Sequence, residues 1–299
     1  MEHVGDLLVA IVVGNYLYID GGEVYIDESG TVAAYAGSRP PFACTHDTCR
    51  IADQSPENST YSIDLTISWT NDTSSTPWYQ TDKGYAPLLN NEVLWKDSSN
   101  TSFYAYDGSL VPNSGQSTPS NQLWQFIPDG SNSGYWNQST PLSNSIFPSL
   151  QRTHGQASCY GNGVGYALGG IDDDSNVPSP GLISYNTTSA WWSNLTTDGF
   201  TDSGTSMFGQ LQYIPGFGTA GLLIALGGQT SSQTTWTPSQ NLLSFQSVNI
   251  FDPVSGIWAS QMVSGSQPPA RTDFCSVGVQ GDNGTYEVRI NTVYSSAAD

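Results

Sequence analysis

Few residue types that carry metal or redox chemistry occur in this chain. Its 299 residues include three histidines, His3, His46 and His154, and four cysteines. Zinc and copper centres gather several imidazole or thiolate ligands around one ion. The three histidines are scattered, and no spacing places two of them together. The sequence therefore predicts no metal centre and no cofactor.

Cys44 and Cys49 frame a short Cys-Thr-His-Asp-Thr-Cys segment. A disulfide can close so short a loop in an oxidising compartment, and we predict this bridge. Metal binding by the two thiols and His46 is the alternative, although no fourth ligand lies nearby. Cys159 and Cys275 fall on two separate predicted strands, where we expect buried thiols.

Acidic clusters are the other candidates for chemistry. Asp172–Asp174 and Asn176 offer oxygen ligands of the kind that Ca²⁺ prefers, and Glu23, Asp27 and Glu28 form a second acidic loop. Three consecutive carboxylates cannot all face one ion, so both segments are interpreted as solvated turns. The remaining carboxylates are too dispersed to nominate a catalytic pair. Serine-nucleophile, phosphate-loop and zinc-protease motifs are absent from the sequence.

Charge excludes several classes of partner. Seven Lys and Arg residues stand against 26 Asp and Glu, a formal net charge of −19. Contacts with nucleic-acid phosphates or with anionic membrane surfaces are therefore disfavoured. No apolar run approaches the length of a membrane span, and the run Leu7–Val13 leads into a turn and reads as a strand.

Seven Asn-x-Ser/Thr sequons favour an extracellular or cell-surface location with glycosylation. They lie at Asn58, Asn71, Asn100, Asn137, Asn186, Asn194 and Asn283. Chance sequons are the alternative, because the chain is rich in Asn, Ser and Thr. The first six residues carry no basic region of a signal peptide, so we expect the chain as given to lack its true start.

The elements that must position these residues are strands. Apolar residues alternate with polar ones in short runs broken by Gly, Pro, Asn and Ser, and helical periodicity is almost absent. One unit recurs: an apolar strand, a turn, a second strand ending in a glycine pair, a polar loop, and a strand pair ending in Trp. The repeat-defining residues are Gly21 and Gly22, Gly169 and Gly170, Gly227 and Gly228, with Asp107 and Gly108 in the second unit, and Trp69, Trp136, Trp192 and Trp258.

Each unit supplies about four strands, the size of a propeller blade. The sequence thus predicts one all-β domain over residues 1–299. Its blades are expected at residues 7–80, 88–140, 152–200 and 208–262, with the opening hairpin of a fifth at 270–290 and a tail at 291–299. Gly22, Gly170 and Gly228 are each expected to end a strand at equivalent positions in successive blades.

These motifs resemble the kelch repeat, above all in Phe251-Asp-Pro-Val-Ser-Gly-Ile-Trp258. Tyr16-Leu-Tyr-Ile-Asp-Gly-Gly22, the downstream Tyr61-Ser-Ile-Asp-Leu65 and Leu89-Asn-Asn-Glu-Val-Leu-Trp95 are similar to secreted or membrane-anchored kelch proteins of filamentous fungi. The resemblance runs from about residue 7 to 290. It implies a galactose-oxidase-like propeller of six or seven blades. Four blades and a hairpin therefore predict an incomplete ring, with truncation favoured over closure as a smaller ring.

The resemblance and the lack of a catalytic set favour a non-enzymatic binding module for a protein or glycan ligand on the loop face. Its candidate contacts are aromatic residues of predicted loops, namely Trp78, Tyr79, Tyr85, Phe217 and Trp236. Packing between blades is the alternative use of these side chains. The competing hypotheses are an enzyme domain on a propeller scaffold, such as a copper-radical oxidase or a hydrolase with key residues outside this chain, and a truncated gene product.

Overall fold

The computed structural model describes residues 8–26, 32–35, 53–69, 77–112, 114–117, 121–140, 146–172, 175, 177–200, 204–231 and 240–291. Strands dominate these ranges, which also contain a single turn of 3₁₀ helix at Phe147–Ser149. The chain divides into two compact units, Met1–Pro141 and Leu142–Asp299. The expectation of one domain over residues 1–299 stays a prediction.

The first unit is built from two four-stranded antiparallel sheets. Its described strands are β1 (Leu8–Val13), β2 (Tyr16–Gly21), β3 (Glu23–Ile26), β4 (Val32–Tyr35), β5 (Asp53–Pro56), β6 (Ser59–Asp64), β7 (Trp78–Asp82), β8 (Leu89–Asn90), β9 (Val93–Lys96), β10 (Phe103–Tyr106), β11 (Ser109–Leu110), β12 (Leu123–Pro128) and β13 (Gly134–Ser139). The first sheet has the order β1-β2-β6-β7, and the second has the order β9-β10-β12-β13. Smaller sheets, β4-β3-β5 and β8-β11, lie in the connections.

The second unit repeats the pattern. Its described strands are β14 (Thr153–His154), β15 (Ala157–Gly161), β16 (Val164–Leu168), β17 (Ile171–Asp172), β18 (Leu182–Asn186), β19 (Trp191–Leu195), β20 (Gln210–Ile214), β21 (Leu222–Leu226), β22 (Ser247–Asp252), β23 (Ile257–Met262), β24 (Cys275–Gln280) and β25 (Tyr286–Asn291). The third sheet is β15-β16-β18-β19 and the fourth is β20-β21-β22-β23, while β24 and β25 form a two-stranded hairpin. β14 pairs with β17.

The first hairpin shows how the sequence produces these sheets. Apolar residues fill β1 and β2, and the two-residue connection Gly14–Asn15 joins them so that Val13 pairs with Tyr16. Gly14 has φ +56°, a conformation that glycine adopts without steric cost and that tight hairpins require. The expectation of a strand in the apolar run after Leu7 is confirmed.

Facing sheets within each unit bury apolar side chains between them. In the first unit, Tyr18 of the first sheet packs against Phe103 and Phe126 of the second, with ring centroids 5.2 and 5.3 Å apart. In the second unit, Leu168 and Leu211 belong to one core that joins the third and fourth sheets. Because each large buried side chain contributes about 1.5–3 kcal/mol, this face-to-face packing is the main stabilising term in both units.

The predicted fold class is confirmed, since four four-stranded antiparallel sheets are followed by a hairpin in place of a fifth. Within the described ranges, no helix has the length and hydropathy needed to cross a lipid bilayer.

Candidate functional site

The end of each sheet at which the second strand reaches the glycine pair is called here the glycine-pair end. There the second glycine of a pair donates its backbone N–H to a carbonyl shortly before the first strand of the next sheet or hairpin. The bonds are Gly22 to Leu89 at 3.2 Å, Gly170 to Ser206 at 3.3 Å, and Gly228 to Arg271 at 2.8 Å. The expected equivalence of these glycines is thus visible in their hydrogen bonds, and the two members of each pair have positive φ.

Four ionisable side chains are buried at the glycine-pair end of the first unit. Asp20, Glu57, Lys83 and Glu92 are each less than 10% exposed, and we call them the charged cluster. Asp20 precedes Gly21 at the end of β2, Lys83 follows β7, Glu57 lies just before β6, and Glu92 lies just before β9. Charged side chains are rarely so fully buried unless they are paired, so this cluster is the candidate site.

An ion pair forms the centre of the cluster. Lys83 Nζ donates to Asp20 Oδ2 at 2.6 Å, and the Thr60 hydroxyl donates to Asp20 Oδ1 at 2.6 Å. Trp136 Nε1 donates in turn to Thr60 Oγ1 at 2.8 Å, and its ring lies 5.5 Å from Lys83 Nζ. The second sheet therefore helps to fix the ion pair of the first. Burial alone would lower the pKa of Lys83, but the charges of Asp20, Glu92 and Glu57 and the hydrogen bond to Asp20 raise it.

Glu92 differs from its neighbours. Neither of its carboxyl oxygens has a hydrogen-bond donor among the described residues. Burial, and then the charge of Asp20, raise the pKa of Glu92 well above its ordinary value, against the lowering effect of Lys83. A Cβ at Gly21 would lie 2.6 Å from the nearer carboxyl oxygen, so glycine is required for Glu92 to fit. The adjoining cavity has room for about one water molecule.

The repeat shows that the fold does not require these charges. Equivalent positions are defined by the strand ends, with Asp20 directly before the glycine pair, Lys83 directly after the fourth strand, and Glu92 directly before a first strand. The residues equivalent to Asp20 are Tyr106, Leu168 and Leu226; to Lys83, Thr140, Thr196 and Val263; and to Glu92, Gln156, Gly209 and Phe274. None of the nine is charged. Departures from a repeat's own pattern of this kind are expected at functional sites.

An exposed aromatic residue stands directly beside the cluster. Residues 83–86 form a turn, the Tyr85 turn, closed by a 3.0 Å hydrogen bond from Ala86 N to Lys83 O. Asp82 Oδ1 also accepts the N–H of Gly84 at 2.6 Å. Lys83 is 4% exposed and Tyr85 is 97% exposed. The turn thus presents a full tyrosine ring to solvent while its first residue is held inside by Asp20.

The other aromatic candidates are less exposed. Trp78 is 45% exposed on β7, where it contacts Tyr61 edge-on at 6.3 Å, and Tyr79 beside it is half-buried. Phe217 is 42% exposed in the β20–β21 connection. Trp236 lies outside the described residues. Tyr85 is thus the most exposed of the described candidates.

The repeat tryptophans divide into two groups. Trp136, Trp192 and Trp258 lie on the fourth strands β13, β19 and β23. Trp136 and Trp258 each donate an indole N–H to the preceding sheet, to Thr60 Oγ1 and to the carbonyl of Thr196 at 3.1 Å. Trp69 differs from this pattern, because it follows β6 in a connection and is 42% exposed. In the first sheet, β7 begins at Trp78 and carries the outer aromatic residues instead.

The remaining predicted sites are only partly covered. His3, Asp27, Glu28, Cys44, His46, Cys49, Asn71, Asp173, Asp174 and Asn176 lie outside the described residues, so the proposed disulfide stays a prediction. Asp172 accepts hydrogen bonds from the backbone and hydroxyl of Ser175, as in a solvated turn. Within the described ranges, no three His, Cys, Asp or Glu side chains are grouped so that they could hold a metal ion. Asp172 and His154 are among the residues to which this applies.

The sequons and thiols have mixed environments. Asn58, Asn100, Asn137, Asn194 and Asn283 are exposed and Asn186 is half-buried, so their glycosylation stays a prediction. Cys159 is partly buried, and burial raises the pKa of its thiol. The expectation that Cys275 is buried is wrong. It opens β24 on the face opposite the one that packs Val288 and Ile290 against the apolar core.

Comparisons with known proteins agree with this architecture. No protein-family profile matches the chain. Over 97 residues it is 33% identical to a Kelch repeat-containing protein of Arthroderma benhamiae, a match that covers 31% of this chain and 13% of that relative's length. The solved structure of YjhT, a kelch-type propeller, matches 96% of this chain and 84% of its own, with a TM-score of 0.54 and 12% identity. The chain therefore has a β-propeller fold of the kelch type, and over about a third of its length it is similar in sequence to a kelch-repeat protein.

Sequence reasoning missed the charged cluster. Asp20, Lys83 and Glu92 are far apart in the chain, and each resembles an ordinary surface charge. A signal was nevertheless present, since an aspartate directly before Gly21 and Gly22 departs from the Leu at the same place before the later glycine pairs.

Proposed function

We propose that this chain is an extracellular or cell-surface binding module without a catalytic set of its own, and that it recognises a protein through the Tyr85 turn. The observation that carries the proposal is the contrast within that turn, where a 97% exposed tyrosine adjoins a buried, ion-paired lysine. Such a tyrosine contributes little to folding, whereas exposed aromatic rings on rigid supports supply much of the energy of protein interfaces.

Rigidity supports the binding role. A backbone hydrogen bond and the bond from the Gly84 N–H to the Asp82 carboxylate hold the turn, and the Lys83–Asp20 pair fixes its first residue. A turn whose backbone is already fixed loses less conformational entropy when a partner binds, which increases affinity. Loops carried on a rigid scaffold are also the usual place for recognition residues.

Charge defines the chemistry of the partner. The first unit, residues 1–141, holds 16 of the 26 acidic residues and four of the seven basic ones, a formal net charge of −12. A field of that sign favours association with a positively charged surface and makes the rate of association depend on salt. We therefore propose a partner protein with a basic contact surface. The propeller fold is compatible with this role, and the Tyr85 turn on the acidic first unit adds the specificity.

The test compares the full chain with Tyr85→Ala and with the matched control Tyr135→Ala, whose ring is 55% exposed on β13. Each protein is immobilised, retained proteins are identified by mass spectrometry, and affinities are measured with the purified partner. We expect Tyr85→Ala to weaken binding at least about tenfold and Tyr135→Ala to leave it unchanged, with weaker binding at higher salt. Equal binding by Tyr85→Ala, or retention of glycans in place of proteins, would contradict the proposal.

A further inference from the structure

Glu92 is the part of the charged cluster that the ion pair does not explain. It is 3% exposed, lines the small cavity beside Ala105, Trp124 and Trp136, and has no hydrogen-bond donor for either carboxyl oxygen among the described residues. A buried carboxylate without donors is very costly, whereas a buried carboxylic acid needs a single acceptor for its proton. Asp20 lines the same cavity as Glu92, and its carboxylate is the group there that can accept such a proton.

The surrounding charges favour the neutral form. The other buried acidic and basic side chains at this end of the unit are Asp20 from β2, Glu57 before β6, Lys83 after β7 and Asp107 after β10. One ammonium group faces several carboxyl groups, so it cannot compensate for all of them in the ionised state. When two carboxyl groups lie together in a buried site, one of them retains its proton.

We propose that Glu92 is a neutral carboxylic acid in the folded protein, that it donates its proton to Asp20, and that this hydrogen bond is a pH-dependent lock on the Tyr85 turn. Loss of the proton leaves two adjacent carboxylates competing for Lys83, which loosens the first residue of the turn. This regulation rests on the proposed function, since the turn that the lock controls is the proposed binding surface.

The direction of the pH response follows from linkage. Because the pKa of Glu92 is higher in the folded protein than its ordinary value of 4.5, the lock is complete below that ordinary value and is lost as the pH rises through the folded value. Lys83 also has a raised pKa, but it deprotonates above its ordinary value of 10.5, outside this window. Binding through the Tyr85 turn is therefore strongest in mildly acidic surroundings.

The proton is tested first, without any partner. Infrared difference spectra of the full chain and of Glu92→Gln are compared between about pH 5 and pH 9. We expect a protonated-carboxyl band at neutral pH in the wild type, its loss at alkaline pH, and its absence from Glu92→Gln. The matched control Glu287→Gln, at an exposed glutamate of β25, retains the band. A band that disappears by about pH 5 in the wild type would overturn the inference.

The lock is tested separately from the binding role. Gln at position 92 mimics the neutral acid, so the NMR signals of Gly84 and Tyr85 are expected to broaden with rising pH in the wild type and to stay unchanged in Glu92→Gln. As the pH rises through the folded pKa of Glu92, the affinity of the wild type for its partner is expected to fall. The fall is about tenfold for each unit by which the pKa of Glu92 in the ordered turn exceeds its pKa in the loosened turn. The affinity of Glu92→Gln is expected to stay unchanged. If the turn responds to pH while Tyr85→Ala binds normally, the proposed function fails and the lock stands. If Tyr85→Ala abolishes binding while neither turn nor affinity responds to pH, the lock fails and the function stands.

Discussion

The two units solve the same structural problem with different chemistry. Both bury the glycine-pair ends of their sheets, yet the buried acidic and basic side chains among the described residues all belong to the first unit: Asp20, Glu57, Lys83, Glu92 and Asp107. The corresponding region of the second unit buries uncharged polar groups, among them Thr205, Ser206, Gln229 and Thr230. Hydroxyl and amide groups cost far less to desolvate than charges do.

This difference between the two units indicates that the fold forms without the buried charges. The second unit forms the same sheets, turns and hydrogen bonds from glycine pairs without them. Buried ion pairs give little net stability compared with apolar replacements, although breaking one partner alone is expensive. We therefore interpret the charged cluster as a device for positioning the Tyr85 turn.

The largest effect is expected from breaking the ion pair. Lys83→Met leaves the Asp20 carboxylate buried without its cation and should lower the free energy of unfolding of the first unit by about 3–5 kcal/mol. The triple change Asp20→Leu, Lys83→Thr and Glu92→Gln installs the residue types that stand at the equivalent positions of the third sheet, Leu168, Thr196 and Gln156. Its free energy of unfolding should lie within about 1 kcal/mol of that of the wild type. Urea titrations of the full chain measure both, and a triple variant as unstable as Lys83→Met would contradict the comparison.

The next largest difference between the two units is expected in the pH dependence of their stability. Since Glu92 binds its proton more tightly in the folded state, the stability of the first unit should decrease as the pH rises from 4.5 towards the folded pKa, by about 1.4 kcal/mol per pH unit. In Glu92→Gln this slope should disappear. Thermal unfolding followed at several pH values checks the prediction, and an identical slope in the variant would refute it.

A smaller effect is expected at Thr60, whose hydroxyl donates to Asp20 and accepts from Trp136. Thr60→Val leaves both partners unsatisfied and should cost about 1–3 kcal/mol, while Thr60→Ser retains the hydroxyl and most of the stability. In the second unit, Thr205→Val removes a hydroxyl that donates to the Ser206 carbonyl at 3.4 Å and should cost about 0.5–1.5 kcal/mol. Chemical denaturation of the three variants measures their losses of stability. Equal losses in Thr60→Val and Thr205→Val would contradict the expected difference between the two units.

The smallest effect concerns Tyr85 itself. Because its side chain is 97% exposed, Tyr85→Ala should change the free energy of unfolding by no more than about 0.5 kcal/mol. The same measurement on Trp192→Ala, where the indole is fully buried, should show a loss of about 3–5 kcal/mol. A large stability loss in Tyr85→Ala would assign that ring to folding and not to recognition.

Sequence alone predicts much of the fold because its signals are local. The apolar runs of β1 and β2, the two-residue turn at Gly14, and the glycine pairs each act over a few residues, and the structure has them where they were expected. Trp69 shows a limit, since even spacing cannot distinguish a strand residue from one in the following connection.

The charged cluster could not be derived in the same way. Lys83 and Glu92 reach Asp20 only because the first sheet pairs β2 with β6 and β6 with β7, and because the second sheet begins beside Gly21. Burial of a charge is a tertiary property that local patterns do not carry. Cys275 illustrates the same point, because its exposure depends on which face of the hairpin packs.

The role of the charged cluster in recognition is tested by one affinity measurement. It compares the wild type with the triple variant Asp20→Leu, Lys83→Thr and Glu92→Gln in binding the partner that the wild type retains. If the charged cluster positions the Tyr85 turn, this variant should bind at least about tenfold more weakly than the wild type while remaining folded. An affinity equal to that of the wild type would contradict the account, because the turn would then recognise its partner without the charges beneath it.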